Sequence, residues 1–207
     1  MTTVKIRNGM RHKGKMTIVA MLFGIVTLCH GIPHMQVQVS DKDKLGMALD
    51  YFQSGKYHEA LLLFKKLSSN YALNPRFKAY MGVCCYYEPD YKNACRHFSE
   101  AIPQIESFAP HERSVYYYMA AQSFFYSEKY EKAIPLYEKT LSVCYDNEKG
   151  DALFGLASCY EKMDSTSTAT EYFNSAKAYY QCFNDTLAKR RNMAKIDSML
   201  TKNDIAE

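Results

Sequence analysis

The sequence has no tryptophan, and its 9 glycines and 6 prolines are few for a chain of 207 residues. All-β proteins need many turns, which these two residue types largely supply, so their scarcity argues against an all-β fold. Charged residues make up 23% and apolar residues 47%, a balance that is typical of a folded chain and excludes long disorder. With 18 tyrosines and 11 phenylalanines, the composition indicates a helical, aromatic-rich protein.

The positive charge of the chain is concentrated at its N-terminus. Residues 1–31 contain no acidic side chain and five basic ones, Lys5, Arg7, Arg11, Lys13 and Lys15. The remaining residues carry 21 basic and 22 acidic side chains, so the net charge of +4 comes entirely from this segment. Nucleic-acid binding depends on concentrated positive charge. The body of the protein therefore gives no electrostatic indication of a nucleic-acid partner.

An uncharged, mostly apolar run at residues 16–29 follows the basic stretch, an order typical of a secretory signal peptide. Cys29 and Gly31 suit the −3 and −1 positions of a cleavage site. We therefore expect a signal peptide at 1–31, a linker at 32–40 and an exported protein, in the periplasm, in the cell envelope or secreted. One alternative is a membrane anchor at residues 16–32, although the run is shorter than the roughly 20 residues that span a bilayer. The other is a lipoprotein modified at Cys29, where Leu28 replaces the small residue that such signals favour.

Six cysteines follow residue 31, and no two of them form a CxxC pair. This spacing excludes a thioredoxin-like motif and a zinc ribbon. An even number of cysteines in an oxidising compartment permits disulfides, with 15 possible connectivities. The simpler interpretation is that they are small, buried apolar residues, with disulfides as the alternative.

Four segments of the chain repeat one spacing of small and aromatic residues. The lead residues Ala48, Gly82, Ala121 and Ala157 lie 34, 39 and 36 residues apart. Three residues after each lead stands Tyr51, Cys85, Phe124 or Tyr160. Each segment then continues with an alanine and, four residues later, an aromatic residue: Ala60 and Phe64, Ala94 and Phe98, Ala133 and Tyr137, Ala169 and Phe173.

This pattern resembles the tetratricopeptide repeat, which has a period near 34 residues. The resemblance implies an all-α fold, an α-α superhelix of about four helix pairs, because one pair cannot bury its apolar stripe alone. The expected repeats are 41–74, 75–113, 114–149 and 150–183, each with two helices of about 13 residues. Gly55 and Pro89 occupy the turn that ends the first helix of a pair. Residues 184–207 are expected to form a capping helix and tail, with Lys189, Arg190 and Arg191 on a solvated face.

The sequence contains no recognisable enzyme motif. The string that begins at His111 and Glu112 has Val115 where a zinc site needs its second histidine. Cys95 and His97, two residues apart on a helix, point to different sides, which is the wrong geometry for a nucleophile and its base. We therefore expect no catalytic activity, no metal and no cofactor.

In proteins of this family the inner face of the first helix in each pair forms a groove for a peptide. The resemblance places Leu49, Phe52 and Gln53 of the first copy and Tyr80, Val83, Tyr86 and Tyr87 of the second copy in this groove. It adds Tyr118, Met119, Gln122, Phe125 and Tyr126 of the third copy and Phe154, Ser158 and Lys162 of the fourth. The family's acid-binding grooves use Lys, Arg and Asn, which are nearly absent from these positions. An apolar or aromatic segment suits this groove better, unless the aromatic residues are mainly packed between helices.

These observations predict a non-catalytic scaffold or adaptor in the cell envelope that binds a protein or peptide. An architectural subunit of a cell-envelope or membrane-associated assembly is the alternative, and an enzyme with an unrecognised site is a third hypothesis. A membrane contact is expected only through an N-terminal segment that is not cleaved.

Overall fold

The computed structural model describes residues 40–183 and 186–204, and the regular structure in these ranges is helical throughout. The α-helices are α1 (Asp41–Gln53), α2 (Tyr57–Ser68), α3 (Pro75–Tyr87), α4 (Tyr91–Ala101), α5 (Pro110–Tyr126), α6 (Tyr130–Val143), α7 (Asp146–Lys162), α8 (Thr166–Cys182) and α9 (Leu187–Asp204). A short 3₁₀ segment, Ile102–Gln104, follows α4. Helices α1 to α8 form four consecutive pairs, which confirms the predicted all-α solenoid. The expected signal peptide and most of the linker, residues 1–39, lie outside the described ranges.

Local signals set where the helices begin. The side chain of Ser40 accepts a hydrogen bond from the Asp43 amide (3.1 Å) and caps α1. The third and fourth pairs start at Pro110 and Asp146, four residues before the expected repeat boundaries at 114 and 150. Proline is favoured in the first turn of a helix, where no amide donor is needed, and this extends α5. Glu148 accepts a hydrogen bond from the Tyr145 amide (3.1 Å) and extends α7 in the same way. Helices α5, α7 and α8 each have 17 residues, longer than expected.

The turns inside the pairs share an unusual backbone conformation. Gly55, Glu128 and Asp164 have φ angles of 72°, 58° and 58°, in the left-handed region. These residues lie at the same place in their turns, between the first and second helices of their pairs. A residue in the left-handed conformation reverses the chain within two or three positions, and glycine adopts this conformation without strain. The turn that Gly55 marks in the first pair therefore also forms in the third and fourth pairs, where Glu128 and Asp164 adopt the left-handed conformation although they carry side chains.

Small residues let neighbouring helices approach closely, both within a pair and between pairs. Ala48, Ala60, Ala94 and Ala133 are fully buried, and Phe64, Phe98 and Tyr137 fill the space beside them. Gly155 of α7 lies against the ring of Tyr137 in α6, so that even a methyl group at this position would meet the ring. This alternation of small and large side chains gives the close packing that a helical core requires.

Helix α9 packs against the last pair. Ile196 is fully buried, and Met193 and Leu200 are partly buried against the cluster that contains Phe173 and Tyr180. Lys189, expected on a solvated face, is buried instead, because it lies on the same helical face as these apolar residues. Arg190 and Arg191 are exposed as expected. In the ranges that the structure describes, no helix is both long enough and apolar enough to cross a bilayer.

Candidate peptide-binding groove

The first helices of the pairs line a continuous groove with two adjoining cavities. Cavity A has a volume of about 270 Å³ and is lined by Tyr86, Tyr87, Ser114, Val115, Tyr118, Met119, Thr140, Glu148 and Asp151. Cavity B has a volume of about 280 Å³ and is lined by Phe52, Tyr57, Tyr80, Val83, Tyr87, Glu112, Val115, Tyr116 and Met119. The two cavities share a wall formed by Tyr87, Val115 and Met119. The groove therefore runs from α1 across α3 and α5 to α7.

Aromatic rings follow the groove in an unbroken series of contacts. The ring of Tyr57 stacks on Tyr87, with centroids 4.2 Å apart and an interplanar angle of 5°. Tyr87 meets Tyr86 edge to face at 5.3 Å, and Tyr86 lies 6.4 Å from Tyr126. Tyr126 stacks on Tyr91 at 4.7 Å. These distances lie within or just below the usual range for attractive ring pairs, so the rings hold one another in place.

Two of these rings also present a large area to solvent. The exposed fractions are 52% for Tyr87 and 50% for Tyr126. Both residues end the first helix of their pair, where the groove meets the turn. An exposed aromatic ring with a fixed orientation provides contact area without much loss of side-chain entropy on binding.

Two tyrosine hydroxyls in the groove, those of Tyr86 and Tyr118, have a raised pKa and stay protonated at neutral pH. Burial, followed by the nearby hydroxyls of Tyr126 and Tyr91, raises the pKa of Tyr86 to about 12. Burial, followed by the charge of Asp151, also raises the pKa of Tyr118. Tyr118 accepts a hydrogen bond from Gln122 Nε2 at 3.1 Å, which leaves its own proton available for a ligand. The groove therefore offers neutral hydroxyl donors among its rings.

Three carboxylates line the cavities. Glu112 binds Arg76 through two hydrogen bonds of 2.7 and 3.1 Å, which lower the pKa of this carboxyl. Glu148 Oε1 lies 2.9 Å from His111 Nε2, and Asp151 Oδ1 accepts a hydrogen bond of 2.7 Å from the Tyr180 hydroxyl. Among the described residues, no lysine or arginine lines either cavity. The groove is thus apolar and aromatic with an acidic margin.

The structure brings some of the predicted groove residues together and separates others. Phe52, Tyr80, Val83, Tyr86, Tyr87, Tyr118 and Met119 line the two cavities, although Val83 and Met119 are largely buried. Tyr126 and Phe125 continue the ring series beyond cavity A, with Phe125 at 5.7 Å from Tyr126. The other six predicted residues belong neither to the cavities nor to this ring series: Leu49, Gln53, Gln122, Phe154, Ser158 and Lys162. Phe154 packs instead on Phe173 at 5.7 Å, with Lys195 over its ring.

Sequence reasoning missed the residues one helical turn nearer the start of the first helices. Val115 and Asp151 each lie six residues before a lead residue, Ala121 and Ala157. Both line cavity A, and Val115 is exposed. The repeat spacing already contained this signal, because a position on the groove face recurs at the same offset in every copy. Glu112 and Glu148 also share one offset, nine residues before Ala121 and Ala157, but they precede the expected starts of the third and fourth repeats at 114 and 150.

The buried cysteines do not provide a nucleophile. Burial raises the pKa of Cys84 to about 12, of Cys85 to about 11 and of Cys159 to about 12, so these thiols stay protonated. All six cysteines in the described ranges are free, so no disulfide is formed there. Cys95 Sγ lies 3.7 Å from Ser127 Oγ, whereas His97 Nε2 lies 3.3 Å from Arg96, so the two side chains meet different neighbours. In the part of the chain that the structure describes, no cluster of His, Cys, Asp and Glu has a metal-binding arrangement.

Comparison with known sequences agrees with the repeat spacing. A family model described as tetratricopeptide repeat matches residues 45–110 and 118–180, more than half of the chain. A search of curated proteins found no significant match.

Solved structures with the same fold include several of MamA. A crystal structure of MamA protein is 19% identical, with a TM-score of 0.57, and the match covers 69% of this chain and 74% of that one. MamA 41-end from Desulfovibrio magneticus RS-1 is 16% identical, with a TM-score of 0.56 and coverage of 78% and 92%. The APC/C hetero-tetramer Cut9-Hcn1 is 13% identical, with a TM-score of 0.60, and the match covers 76% of this chain but only 30% of that one. At these identities the likeness concerns the fold alone.

Proposed function

Because the chain belongs to the tetratricopeptide repeat family, a family of protein-interaction scaffolds, we propose that it binds an apolar or aromatic segment of a partner protein in the groove. The scaffold is non-catalytic, and its contact surface is the ring series from Tyr57 to Tyr126 together with cavities A and B. The observation that carries this proposal is the pair of half-exposed rings, Tyr87 and Tyr126, connected through Tyr86. Exposed aromatic residues beside a concave apolar surface are the usual anchors of a protein interface.

The charge of the groove supports an apolar segment over an acidic one. Carboxylates line the cavities, and the described residues place no lysine or arginine there. A C-terminal carboxylate or an acidic peptide would meet like charge in this groove and would have no cation to pair with. Affinity for a short apolar segment is then expected to be modest, about micromolar, with a weak dependence on salt.

The proposal places the scaffold in the cell envelope. This part rests on the N-terminal sequence, where a basic stretch precedes an uncharged run at residues 16–29.

A random dodecapeptide library, displayed on phage and selected on the immobilised full chain, tests the binding mode. We expect selected peptides to be rich in apolar and aromatic residues. Fluorescence anisotropy then measures the affinity of a selected peptide for the wild type and for Tyr87→Ala. This substitution removes an exposed ring that shapes both cavities, so it is expected to cost roughly 1–2 kcal/mol of binding free energy.

The matched control is the double change Arg190→Ala and Arg191→Ala, two exposed residues of α9 that do not line either cavity. Affinity is expected to stay within about twofold of the wild type, because only groove contacts contribute. Circular dichroism checks that all variants keep their helicity. If no peptide is selected, or if binding depends on the two arginines and is lost at moderate salt, the proposal is wrong.

A further inference from the structure

Asp151 is an acidic side chain in cavity A, and none of the ion pairs among the described residues includes it. Its Oδ1 atom accepts the Tyr180 hydroxyl at 2.7 Å, and a hydroxyl donor leaves the negative charge in place. Glu148, the other carboxylate of this cavity, is already held by His111 at 2.9 Å and by the Tyr145 amide at 3.1 Å. The nearest lysine in sequence, Lys149, pairs with Asp146 at 2.7 Å instead.

Aromatic rings line the same cavity in an arrangement suited to a cation. Tyr86 and Tyr87 are almost perpendicular, with an interplanar angle of 80°, and Tyr118 lies on the neighbouring helix. Ring faces attract ammonium and guanidinium groups, and the attraction grows when water is partly excluded. The apolar stem of a lysine or arginine side chain would meanwhile contact Val115 and Met119.

The cavity also restricts the size of what enters it. Its volume of about 270 Å³ is below the usual range for drug-sized ligands, and it opens on the groove that is proposed to hold a peptide. Two of its hydroxyls are already engaged, because Ser114 donates to the His111 carbonyl at 2.8 Å and Thr140 donates to the Leu136 carbonyl at 2.9 Å. A single side chain with a positive end matches this cavity, because the Asp151 carboxylate in its lining keeps its negative charge.

We propose that cavity A binds one lysine or arginine side chain of the partner segment, with Asp151 as its counter-charge. This inference rests on the proposed function and makes it more specific: the segment is apolar with one positive residue at a fixed position. The apolar neighbours of that residue lie along cavity B and the ring series.

The experiment compares peptide selection on the full-length wild type, on Asp151→Asn and on Asp146→Asn. The asparagine at 151 still accepts the Tyr180 hydroxyl through its amide oxygen, so the fold is preserved while the charge is removed. Asp146→Asn removes an exposed charge from the same helix at a residue that does not line cavity A. Thermal unfolding confirms that both variants are folded.

We expect dodecapeptides selected on the wild type and on Asp146→Asn to carry a lysine or arginine at one position among apolar residues, and those selected on Asp151→Asn to lose this preference. A selected peptide should bind Asp151→Asn about tenfold more weakly than the wild type. Replacing its basic residue by norleucine should also weaken binding to the wild type about tenfold and have less than about a twofold effect on Asp151→Asn.

The possible failures are distinguishable. Selection of apolar peptides without any basic preference would overturn this inference and leave the proposed function in place. Equal effects of Asp146→Asn and Asp151→Asn would also overturn it, because the charge would then act only over long range. If no peptide is selected on any of the three proteins, the proposed function fails and the inference fails with it.

Discussion

At the scale of single residues, Gly46 and Gly55 of the first pair both have room for a side chain but differ in backbone conformation. A Cβ atom built on Gly46, inside α1, or on Gly55, in the following turn, meets no other atom within 4 Å. Only Gly55 has a positive φ, 72°. Alanine at the two positions therefore changes stability in opposite directions for reasons of backbone alone.

We expect Gly46→Ala to raise the free energy of unfolding by about 0.5–1 kcal/mol, because glycine is a poor residue for a helix interior. Gly55→Ala should lower it by about 1–2 kcal/mol, the cost of a left-handed conformation for a residue with a side chain. Urea denaturation followed by circular dichroism measures both. Two shifts of the same sign would contradict the assigned turn.

The residues of the candidate groove were only partly predictable from the sequence. Tyr86, Tyr87 and Tyr118 follow from the repeat offset and line cavity A. Phe154 has the same offset as Tyr118, but it packs between Phe173 of α8 and Lys195 of α9, where α9 rather than a further repeat pair follows α8. Whether a residue at a groove offset faces the groove thus depends on the neighbouring pair, which a repeat pattern does not describe.

At the scale of helices, the close contact between α1 and α2 depends on small side chains. Ala60 is fully buried beside Ala48, whereas Lys65 on the same helix is exposed. Ala60→Leu is expected to lower the free energy of unfolding by roughly 1–3 kcal/mol, because the larger side chain forces the helices apart. Lys65→Ala should change it by less than about 0.5 kcal/mol. Equal shifts of the denaturation midpoint would show that the assigned helix faces are wrong.

The existence and pairing of the helices followed from the spacing of small and aromatic residues, but their lengths did not. A repeat of fixed period predicts helices of equal length, whereas α5 and α7 each have 17 residues. Their additional turns begin at local signals, Pro110 and the Tyr145–Glu148 cap. These turns carry Glu112 and Glu148, which precede the expected repeat starts at 114 and 150, so the predicted groove did not include its acidic margin.

At the scale of the whole molecule, the N-terminal segment leads to a prediction about the mature chain. Five basic residues followed by the uncharged run at 16–29 predict cleavage after Gly31 in the cell of origin. The intact mass of the protein, purified from its native source, should therefore correspond to a chain that begins at Ile32. Recovery of the full-length chain would favour the membrane anchor instead.

The two stacked tyrosine pairs also determine how the array can change its curvature. Tyr57–Tyr87 lies at the junction between the first and second pairs, and Tyr91–Tyr126 lies at the junction between the second and third. Each contact joins the start of a second helix to the end of the first helix in the next pair. Moving neighbouring pairs apart at this edge must therefore separate two stacked rings. At the third junction Lys162 occupies the corresponding place, and a cavity of about 310 Å³ lies between Tyr130 and Met163. That junction is held at its opposite end by the short connection between α6 and α7. Separating the first or the second junction at this edge therefore pulls a stacked ring pair apart, whereas the third junction depends instead on the close contact of Gly155 with the Tyr137 ring.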